Sequence, residues 1–207
     1  LIRIDSESKQ DISGQIESQI IKKLGEISSD TKYIILQDYN KGVLTKPLIK
    51  KILALAEKRK IRVLVDPKFE NFFEFKETFL FKPNRKELEY AFGKKLKTAA
   101  DPNELVMDLI KKIKCKNVVL TLGEHGMRIY SRENGKIVIS SVKTVAKKVA
   151  DVSGAGDTVI STMAFCLSGG AGVREAAYIS NMAAGIVVEE VGIVPVRRDK
   201  LYKKLIS

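Results

Sequence analysis

Apolar runs alternate with amphipathic stretches along most of this 207-residue chain. Four short runs rich in Val, Ile and Leu predict buried strands, at 33–38, 61–66, 78–84 and 117–123. Six stretches with apolar residues at helical spacing predict helices, at 45–60, 85–93, 101–114, 157–168, 173–190 and 199–206. Two further apolar segments, 127–131 and 136–140, flank the turn-like sequence RENG and predict a β-hairpin.

Residues that favour helix ends support these boundaries. Pro47 falls in the first turn of one predicted helix, where proline is tolerated, and Gly93 closes the next. Asp101 is the expected N-cap of the helix at 101–114, with Pro102 at its first helical position. The helical pattern is therefore matched by local end signals.

Buried strands that alternate with amphipathic helices indicate an α/β fold, with helices on both faces of a mostly parallel sheet. In such sheets, ligands bind beyond the carboxyl ends of the strands. Four residues fall at predicted strand ends: Asp38, Asp66, Asn84 and Gly123. We therefore expect one site at this edge, within a single domain or part of one.

Composition narrows the classes of protein that this chain can represent. Hydrophobic residues make up 44% and charged residues 30%, as in globular proteins. No apolar run approaches the roughly 18 residues that span a bilayer, and no signal peptide is evident, so we expect a cytoplasmic protein without membrane partners. The formal net charge of +12 fits anionic substrates. A basic nucleic-acid-binding module is an alternative, but the lysines are scattered over helix surfaces and form no stripe.

Cysteine and histidine are too few for several kinds of site. Cys115 and Cys166 lack metal-type spacing and are expected to be reduced thiols. His125 is the single histidine, which argues against His-based triads and multi-His metal sites. Chemistry in this chain must therefore rest on carboxylates, lysines and backbone amides.

The segment DVSGAGDT, residues 151–158, joins a glycine-rich turn to the start of a predicted helix. It lacks the Lys-Ser/Thr pair of a Walker A motif, and Val159 stands where a dinucleotide fingerprint needs its third glycine. Small residues at a helix N-terminus allow an anion to approach backbone amides. Asp157 has two interpretations: a carboxylate that caps the helix, or a base beside an anion-binding loop that supports phosphoryl transfer.

This segment resembles the D-x-x-G-A-G-D motif of the ribokinase-like (phosphofructokinase B type) sugar kinases. The resemblance implies a three-layer α/β/α fold, ATP as phosphoryl donor and Asp157 as catalytic base. It also implies that the amides of Gly154, Ala155 and Gly156 form the anion hole. Many relatives bind a monovalent cation near this loop, which makes Asp151 a candidate ligand for K⁺. Val196 stands near the position where those relatives often have Ser.

Three more segments match this family in order. KPNRKELE resembles its N-x-x-E motif, so Asn84 and Glu87 are expected to organise Mg²⁺ and its waters around the phosphates. TLGEHG resembles the nucleotide loop, and SNMAAGIVVEEVG resembles the late helix that lines the adenine pocket. The residues implied for nucleotide binding are Thr121, Gly123, Gly126, Asn181 and Ala184.

Within this family, LQDYNKGVLT, VLVDPK and LIRID resemble the kinase domain of the bacterial bifunctional heptose 7-phosphate kinases/heptose 1-phosphate adenylyltransferases. The implied reaction is phosphorylation of D-glycero-β-D-manno-heptose 7-phosphate at its anomeric hydroxyl, for ADP-heptose and lipopolysaccharide core synthesis. Asp38, Lys41 and Lys68 become candidate contacts to the sugar phosphate, although Lys68 could be a merely solvated lysine. A kinase of a pentose, a hexose phosphate or a nucleoside is the alternative.

The resemblance covers only part of a kinase domain. The chain begins at Leu1 and lacks the family's opening strands, lid strands and Gly-Gly sugar-binding segment, so residues 1–207 are expected to be the C-terminal two-thirds of that domain. No adenylyltransferase half is present in this sequence. We expect a homodimer for the full-length protein, and a fragment that could bind ATP without turning over.

Overall fold

The computed structural model describes residues 7–96, 102–145 and 150–206. The helices in these ranges are α1 (Gly14–Gly25), α2 (Lys46–Lys58), α3 (Arg85–Phe92), α4 (Asn103–Ile113), α5 (Ala155–Ser168), α6 (Val173–Val187) and α7 (Arg198–Ile206). The strands are β1 (Tyr33–Gln37), β2 (Arg62–Asp66), β3 (Leu80–Phe81), β4 (Asn117–Thr121), β5 (Met127–Glu133) and β6 (Lys136–Val142).

The strands form one sheet in the order β1-β2-β3-β4-β5-β6. β1 to β4 pair in parallel, whereas β5 and β6 are antiparallel and form the predicted hairpin. Its turn residues, Asn134 and Gly135, have positive φ angles of 48° and 79°, as a tight two-residue hairpin requires. The mostly parallel α/β sheet predicted from the sequence is confirmed.

Alternate residues of the central strands enter two separate cores. Val63 and Val65 of β2 join the core beneath α2 and α4, whereas Leu64 joins the core beneath α5 and α6. Phe81 and Leu80 of β3 divide in the same way. Because successive strand residues point to opposite faces, an unbroken apolar run fills both cores. The result is a three-layer α/β/α arrangement.

α5 is attached to β1 at both of its ends. The hydroxyl of Tyr33, at the start of β1, donates a hydrogen bond of 3.3 Å to the carbonyl of Leu167, near the end of α5. Gln37, at the other end of β1, donates through Nε2 to the carboxylate of Asp157, in the first turn of α5. The strand and the helix therefore run antiparallel, with the first turn of α5 at the carboxyl end of β1.

β3 is much shorter than the predicted strand at 78–84. Its neighbours remain extended: the amide of Lys82 donates to the carbonyl of Val65, and the amide of Thr121 donates to the carbonyl of Pro83. Pro83 has no amide hydrogen to donate, which limits the ladder on that side. An isolated bridge between Asn84 and Thr121 carries the parallel pairing to the strand end.

Helix boundaries differ from the predicted ones at several ends. α5 begins at Ala155 rather than 157, and α6 ends at Val187 rather than 190. Pro102 occupies the N-cap position of α4 instead of its first helical position, and Asp101, the predicted cap, lies outside the described residues. Gly93 closes α3 with a φ of 62°, as expected. No helix in the described ranges is long and apolar enough to cross a membrane.

α1 was not predicted from the sequence. Its N-cap is Ser13, whose side chain accepts a hydrogen bond from the amide of Ile16. Glu17 lies on the buried side of this helix. Its carboxylate accepts hydrogen bonds from Thr45 and Lys51, which attach α1 to the first turns of α2. Ile20, Ile21 and Leu24 pack against the first core at helical spacing, so the sequence carried a signal for this helix that the prediction did not use.

Two glycines with nearly the same φ differ in how strongly their surroundings exclude a side chain. Gly126 has a φ of 81° and a ψ of −130°, and an added Cβ would lie 2.1 Å from the carbonyl oxygen of Val142; Gly135 has a φ of 79° and open space around it. We expect Gly135→Ala to lower the free energy of unfolding by roughly 1–2 kcal/mol through backbone strain. Gly126→Ala should cost at least about 1 kcal/mol more, because the backbone must also move. Urea unfolding of both variants measures the difference, and equal losses would contradict it.

Candidate active site

The parallel register brings the predicted strand-end residues to one edge of the sheet. The amide of Asp38 donates to the carbonyl of Asp66 at 2.9 Å, which places the ends of β1 and β2 side by side. An isolated bridge between Asn84 and Thr121 places the ends of β3 and β4 side by side as well. The N-terminus of α5 lies against this edge, so strand ends and glycine loop border one site.

The glycine loop turns sharply into α5. Gly154 is the N-cap residue with a φ of 76°, a left-handed conformation that favours glycine, and no side chain caps the helix. The first-turn amides of a helix have no intrahelical acceptor, and the helix dipole favours an anion at this end. The amide of Ala155 donates at 3.3 Å to the carbonyl of Val152, so it serves the loop in this structure. Gly156 and Asp157 supply the next two amides of the turn.

Asp157 is the third residue of α5 and is exposed. It does not cap the helix, so the capping interpretation is wrong. Its Oδ1 accepts a hydrogen bond from Gln37 Nε2, and its Oδ2 accepts one of 3.2 Å from the Tyr39 hydroxyl. Desolvation and the negative charge of Asp157 raise the pKa of Tyr39, which keeps this hydroxyl protonated as a donor. The carboxylate is therefore held by two donors, one on the last residue of β1 and one two residues beyond it.

A buried ion pair lies directly behind the loop. Lys82 Nζ is 2.9 Å from Asp66 Oδ1, and only 3% of the Lys82 side chain is exposed. A Cβ added at Gly156 would lie 3.5 Å from Lys82 Nζ and 3.7 Å from Asp66 Oδ2, so glycine allows the loop to approach the pair. Burial raises the pKa of Asp66, and the Lys82 ammonium only partly offsets this rise.

Asn84 and Glu87 form a capping box at the start of α3. The Glu87 amide donates to Asn84 Oδ1 at 2.9 Å, and Glu87 Oε2 accepts from the Asn84 amide at 2.8 Å. Glu87 Oε1 lies 2.7 Å from Lys68 Nζ. Burial opposes the charge on Lys68, but the hydrogen bond from Glu87 and the nearby charges of Glu87, Asp66 and Asp157 raise the pKa of Lys68 overall. Lys68 is therefore not a merely solvated lysine.

The residues expected to bind nucleotide lie along the turn after β4 and on α6. Thr121 is half-buried at the end of β4, and Gly123 opens a short 3₁₀ turn with a φ of 60°. On α6, Asn181 is buried and donates through Nδ2 to the carbonyl of Lys143 at 2.8 Å, while Ala184 packs against the second core. Asn181 thus links α6 to the segment that follows β6.

Asp38 and Lys41 have contacts that serve the loop after β1. Asp38 is buried and accepts hydrogen bonds from the Asn40 amide at 2.9 Å and from Asn71 Nδ2 at 3.3 Å. Lys41 Nζ lies 2.6 Å from a carboxylate oxygen of Glu7. In this structure, these two candidate sugar-phosphate contacts are bonded to Asn40, Asn71 and Glu7, and no hydrogen bond joins either of them to Asp157.

Asp151 and Val196 lie on either side of the glycine loop. Asp151 accepts a hydrogen bond of 2.8 Å from the Ser153 amide, and hydrogen bonds from Ser153 and the Gly192 backbone lower the pKa of Asp151. Val196 lines a groove of about 400 Å³ between α5 and residues 193–196, which Gly154 and Asp157 also line. The groove is open to solvent next to the carboxylate.

Sequence reasoning missed three residues of this site: Gln37, Tyr39 and Lys82. Each has a signal that could have revealed it. Gln37 interrupts the apolar run YIILQ, and Lys82 follows the apolar run TFLF in a strand-end position where a lysine needs a partner. Tyr39 adjoins the strand-end Asp38. All three are polar side chains at or just beyond the end of an apolar strand, and all three lie at the site.

Fold and site together fit an α/β enzyme of the phosphoryl-transfer type, with an uncapped helix N-terminus, whose dipole favours anions, beside a carboxylate. The model of the pfkB family of carbohydrate kinases matches residues 16–197. The chain belongs to this family. Membership implies the use of ATP, a metal ion and a sugar substrate in general.

Two curated relatives are each called bifunctional protein HldE. The protein from Trichlorobacter lovleyi is 37% identical over 192 residues, which cover 93% of this chain and 38% of the relative. The protein from Aliarcobacter butzleri is 37% identical over 206 residues, covering 98% of this chain and 42% of the relative. The chain thus spans about two-fifths of the length of these relatives.

Solved structures support the fold. Phosphofructokinase-2 from Escherichia coli, in complex with potassium, aligns with a TM-score of 0.81 at 21% identity, covering 93% of this chain and 62% of that chain. Arabidopsis thaliana ribokinase, complexed with ribose and ATP, aligns with a TM-score of 0.74 at 20% identity, covering 95% and 60%. The ribokinase-like fold expected from the motifs is confirmed.

The buried pair behind the loop gives a pH-dependent prediction. Lys82→Met leaves the Asp66 carboxylate unpaired, and we expect it to lower the free energy of unfolding by about 3 kcal/mol at pH 7. The pKa of Asp66 is already raised in the folded state, so the stability from this group is present at low pH and lost as the pH rises through the folded pKa. Removing Lys82 raises that pKa further, so the difference from the parent should shrink as the pH falls towards about 4.

Urea unfolding at several pH values measures this difference. Lys50→Met on the exposed face of α2 is the matched control, and should stay within about 0.5 kcal/mol of the parent at each pH. A loss for Lys82→Met that does not change with pH would contradict the role given to Asp66.

Proposed function

We propose that the full-length protein is an ATP-dependent kinase that phosphorylates D-glycero-β-D-manno-heptose 7-phosphate at the anomeric hydroxyl, with Asp157 as base. The observation that carries the proposal is the Asp157 carboxylate, held by side-chain donors at the N-terminus of α5 beside the Gly154–Gly156 turn. The sequence segments LQDYNKGVLT and VLVDPK, which resemble the heptose kinases, and similarity to HldE proteins over most of the chain support this substrate.

The reaction assigns a distinct task to each part of the site. Asp157 accepts the proton of the sugar hydroxyl while that oxygen attacks the γ-phosphorus of ATP. The bond between this phosphorus and the bridging oxygen breaks, and ADP leaves with the bonding electron pair. The amides of the first turn, including Gly156, stabilise the negative charge on the transferred group, because they are fixed in place before the reaction begins.

Asn84 and Glu87 are the residues we assign to Mg²⁺, through its water molecules. In the described part of the chain, no three Asp, Glu, His or Cys side chains are grouped to ligate a metal directly, which fits an outer-sphere role. When bound, Mg²⁺ would neutralise charge on the phosphates. Glu87 has its carboxylate fixed by Lys68 and by the Asn84 amide, so the chain supplies an oriented acceptor for water. The Lys68 ammonium has two further N–H donors besides the one directed at Glu87, and we assign these to a phosphate.

Thr121, Gly123, Gly126, Asn181 and Ala184 are assigned to the nucleotide pocket. The first three come from the end of β4 and the turn after it, and α6 supplies the buried Asn181 and the half-buried Ala184. Asp38 and Lys41 are assigned to the sugar phosphate, and their present bonds to Asn71 and Glu7 would have to be exchanged on binding.

We assign a monovalent cation, K⁺, to the loop that contains Asp151. The lowered pKa of Asp151 keeps the carboxylate charged, which supports cation binding, whereas Val196 offers no side-chain oxygen to it. We also infer that residues 1–207 represent the C-terminal two-thirds of a kinase domain, supported by the 62% coverage of the phosphofructokinase-2 chain, and that the full-length protein is a cytoplasmic homodimer.

The base assignment predicts a specific loss. Asp157→Asn in the full-length protein should reduce kcat by at least about 10³-fold, because the proton of the attacking hydroxyl loses its acceptor while the anion-binding amides remain. ATP binding measured by calorimetry should stay within a few-fold of the parent. Asp30→Asn, in an exposed turn far from the site, is the control and should keep full turnover. Turnover of Asp157→Asn close to that of the parent would rule out this base.

A substrate panel separates the proposed sugar from the alternatives. ADP release is measured with heptose 7-phosphate, a pentose, a hexose phosphate and a nucleoside at equal concentrations. The highest kcat/KM is expected with heptose 7-phosphate. A higher value with another acceptor would retain the kinase class and replace the substrate.

A further inference from the structure

Both carboxylate oxygens of Asp157 are occupied before any substrate binds. Oδ1 accepts from Gln37 Nε2, and Oδ2 accepts from the Tyr39 hydroxyl. A base that receives a proton from a substrate hydroxyl must accept that hydrogen bond at one of its oxygens. Each oxygen can accept two hydrogen bonds, but the sugar hydroxyl has to approach an oxygen that already has a protein donor beside it, and the two donors then compete for it.

The two donors differ in how firmly they are held. Gln37 is the last residue of β1, is half-buried and pairs in register with Asp66 of β2. Tyr39 lies beyond the strand end in the loop, its side chain is 51% exposed, and the next residue, Asn40, has a positive φ of 52°. The backbone ladder fixes the first donor, whereas solvent surrounds much of the second. Tyr39 is therefore the donor that an incoming hydroxyl can displace at the lower cost.

We propose that Gln37 is a positioning residue that holds Asp157 throughout the reaction, while the Tyr39 hydroxyl occupies the place of the acceptor hydroxyl until the sugar displaces it. This inference rests on the proposed function, since it assumes that Asp157 is the base. It assigns the two oxygens different tasks: Oδ1 is held by the protein, and Oδ2 receives the proton.

Other charged groups around Asp157 come from the neighbouring strand ends. Lys68, beyond β2, is close enough for the charge of Asp157 to raise its pKa. Asp66 and Lys82 form their ion pair behind Gly156. These groups are the same in the variants below, so a change in the pH profile reports the donor that has been removed.

The test uses pH–rate profiles of Gln37→Leu and Tyr39→Phe in the full-length protein. Both donors stabilise the charged carboxylate, so loss of either one favours its protonation and moves the acid limb to higher pH. The limb of kcat/KM reports free enzyme and that of kcat reports the substrate complex. Gln37→Leu should move both limbs to higher pH, whereas Tyr39→Phe should move only the limb of kcat/KM.

Matched controls make the same chemical changes away from the site. Gln15→Leu on the exposed side of α1 and Tyr202→Phe on α7 should leave both limbs where they are. Gln37→Glu has the shape of glutamine but replaces the donor with a carboxylate, so it should move both limbs further than Gln37→Leu. Because it preserves side-chain volume, it also tests the inference if the leucine variant folds poorly.

The outcomes separate this inference from the proposed function. If Asp157→Asn remains active, Asp157 is not the base and the proposed function fails with this inference. If Asp157→Asn is inactive but Gln37 variants move neither limb, only the positioning role is overturned. If Tyr39→Phe moves both limbs equally, Tyr39 stays bound in the substrate complex and its displacement is refuted.

Discussion

The parallel register of β1, β2, β3 and β4 is the constraint on which the site depends. It places four strand ends side by side at one edge of the sheet. Polar side chains at those ends meet the glycine turn that begins α5. A helix without a side-chain cap adds its amides to this edge. Chemistry is thus concentrated where regular structure stops.

Two buried carboxylates at this edge of the sheet are each paired with a lysine. Asp66 and Glu87 are buried carboxylates, and each lies within 3 Å of a lysine, Lys82 and Lys68 respectively. Removing a charge from water is costly unless a partner compensates it, so these two pairs allow acidic groups to stay behind an anion-binding loop without repelling the anion strongly. Asp157 differs from them, because neutral donors hold it and leave its charge available for a proton.

Much of the fold and part of the site follow from the sequence because they depend on local rules. The α/β class, the β5–β6 hairpin and the end of α3 at Gly93 follow from periodicity and turn chemistry. The catalytic assignment of Asp157 needed the family motif, since the loop alone also allowed a helix cap. The tertiary contacts of Asp157 decide against the cap.

The rest could not be predicted for physical reasons. The contact from Gln37 to Asp157 joins residues that are 120 positions apart, and local patterns do not specify such pairs. The buried carboxylate of Glu17 on α1 looks unfavourable in the sequence, and only the folded structure supplies its donors, Thr45 and Lys51. The contacts of Asp38 with Asn71 and of Lys41 with Glu7 likewise join residues 33 and 34 positions apart, which local patterns do not specify.

Because α5 is attached to β1 at both ends, the length and register of the strand fix the position of Asp157. Tyr33 and Gln37 are separated by about 13 Å of strand, and Leu167 and Asp157 by about 15 Å of helix, so the two elements match in length. A slip of one residue in β1 would turn Leu36 or Asp38 towards α5. The helix would then face an apolar side chain or a second carboxylate opposite Asp157. Misregistration during folding would therefore be penalised at the residue that we propose as the catalytic base.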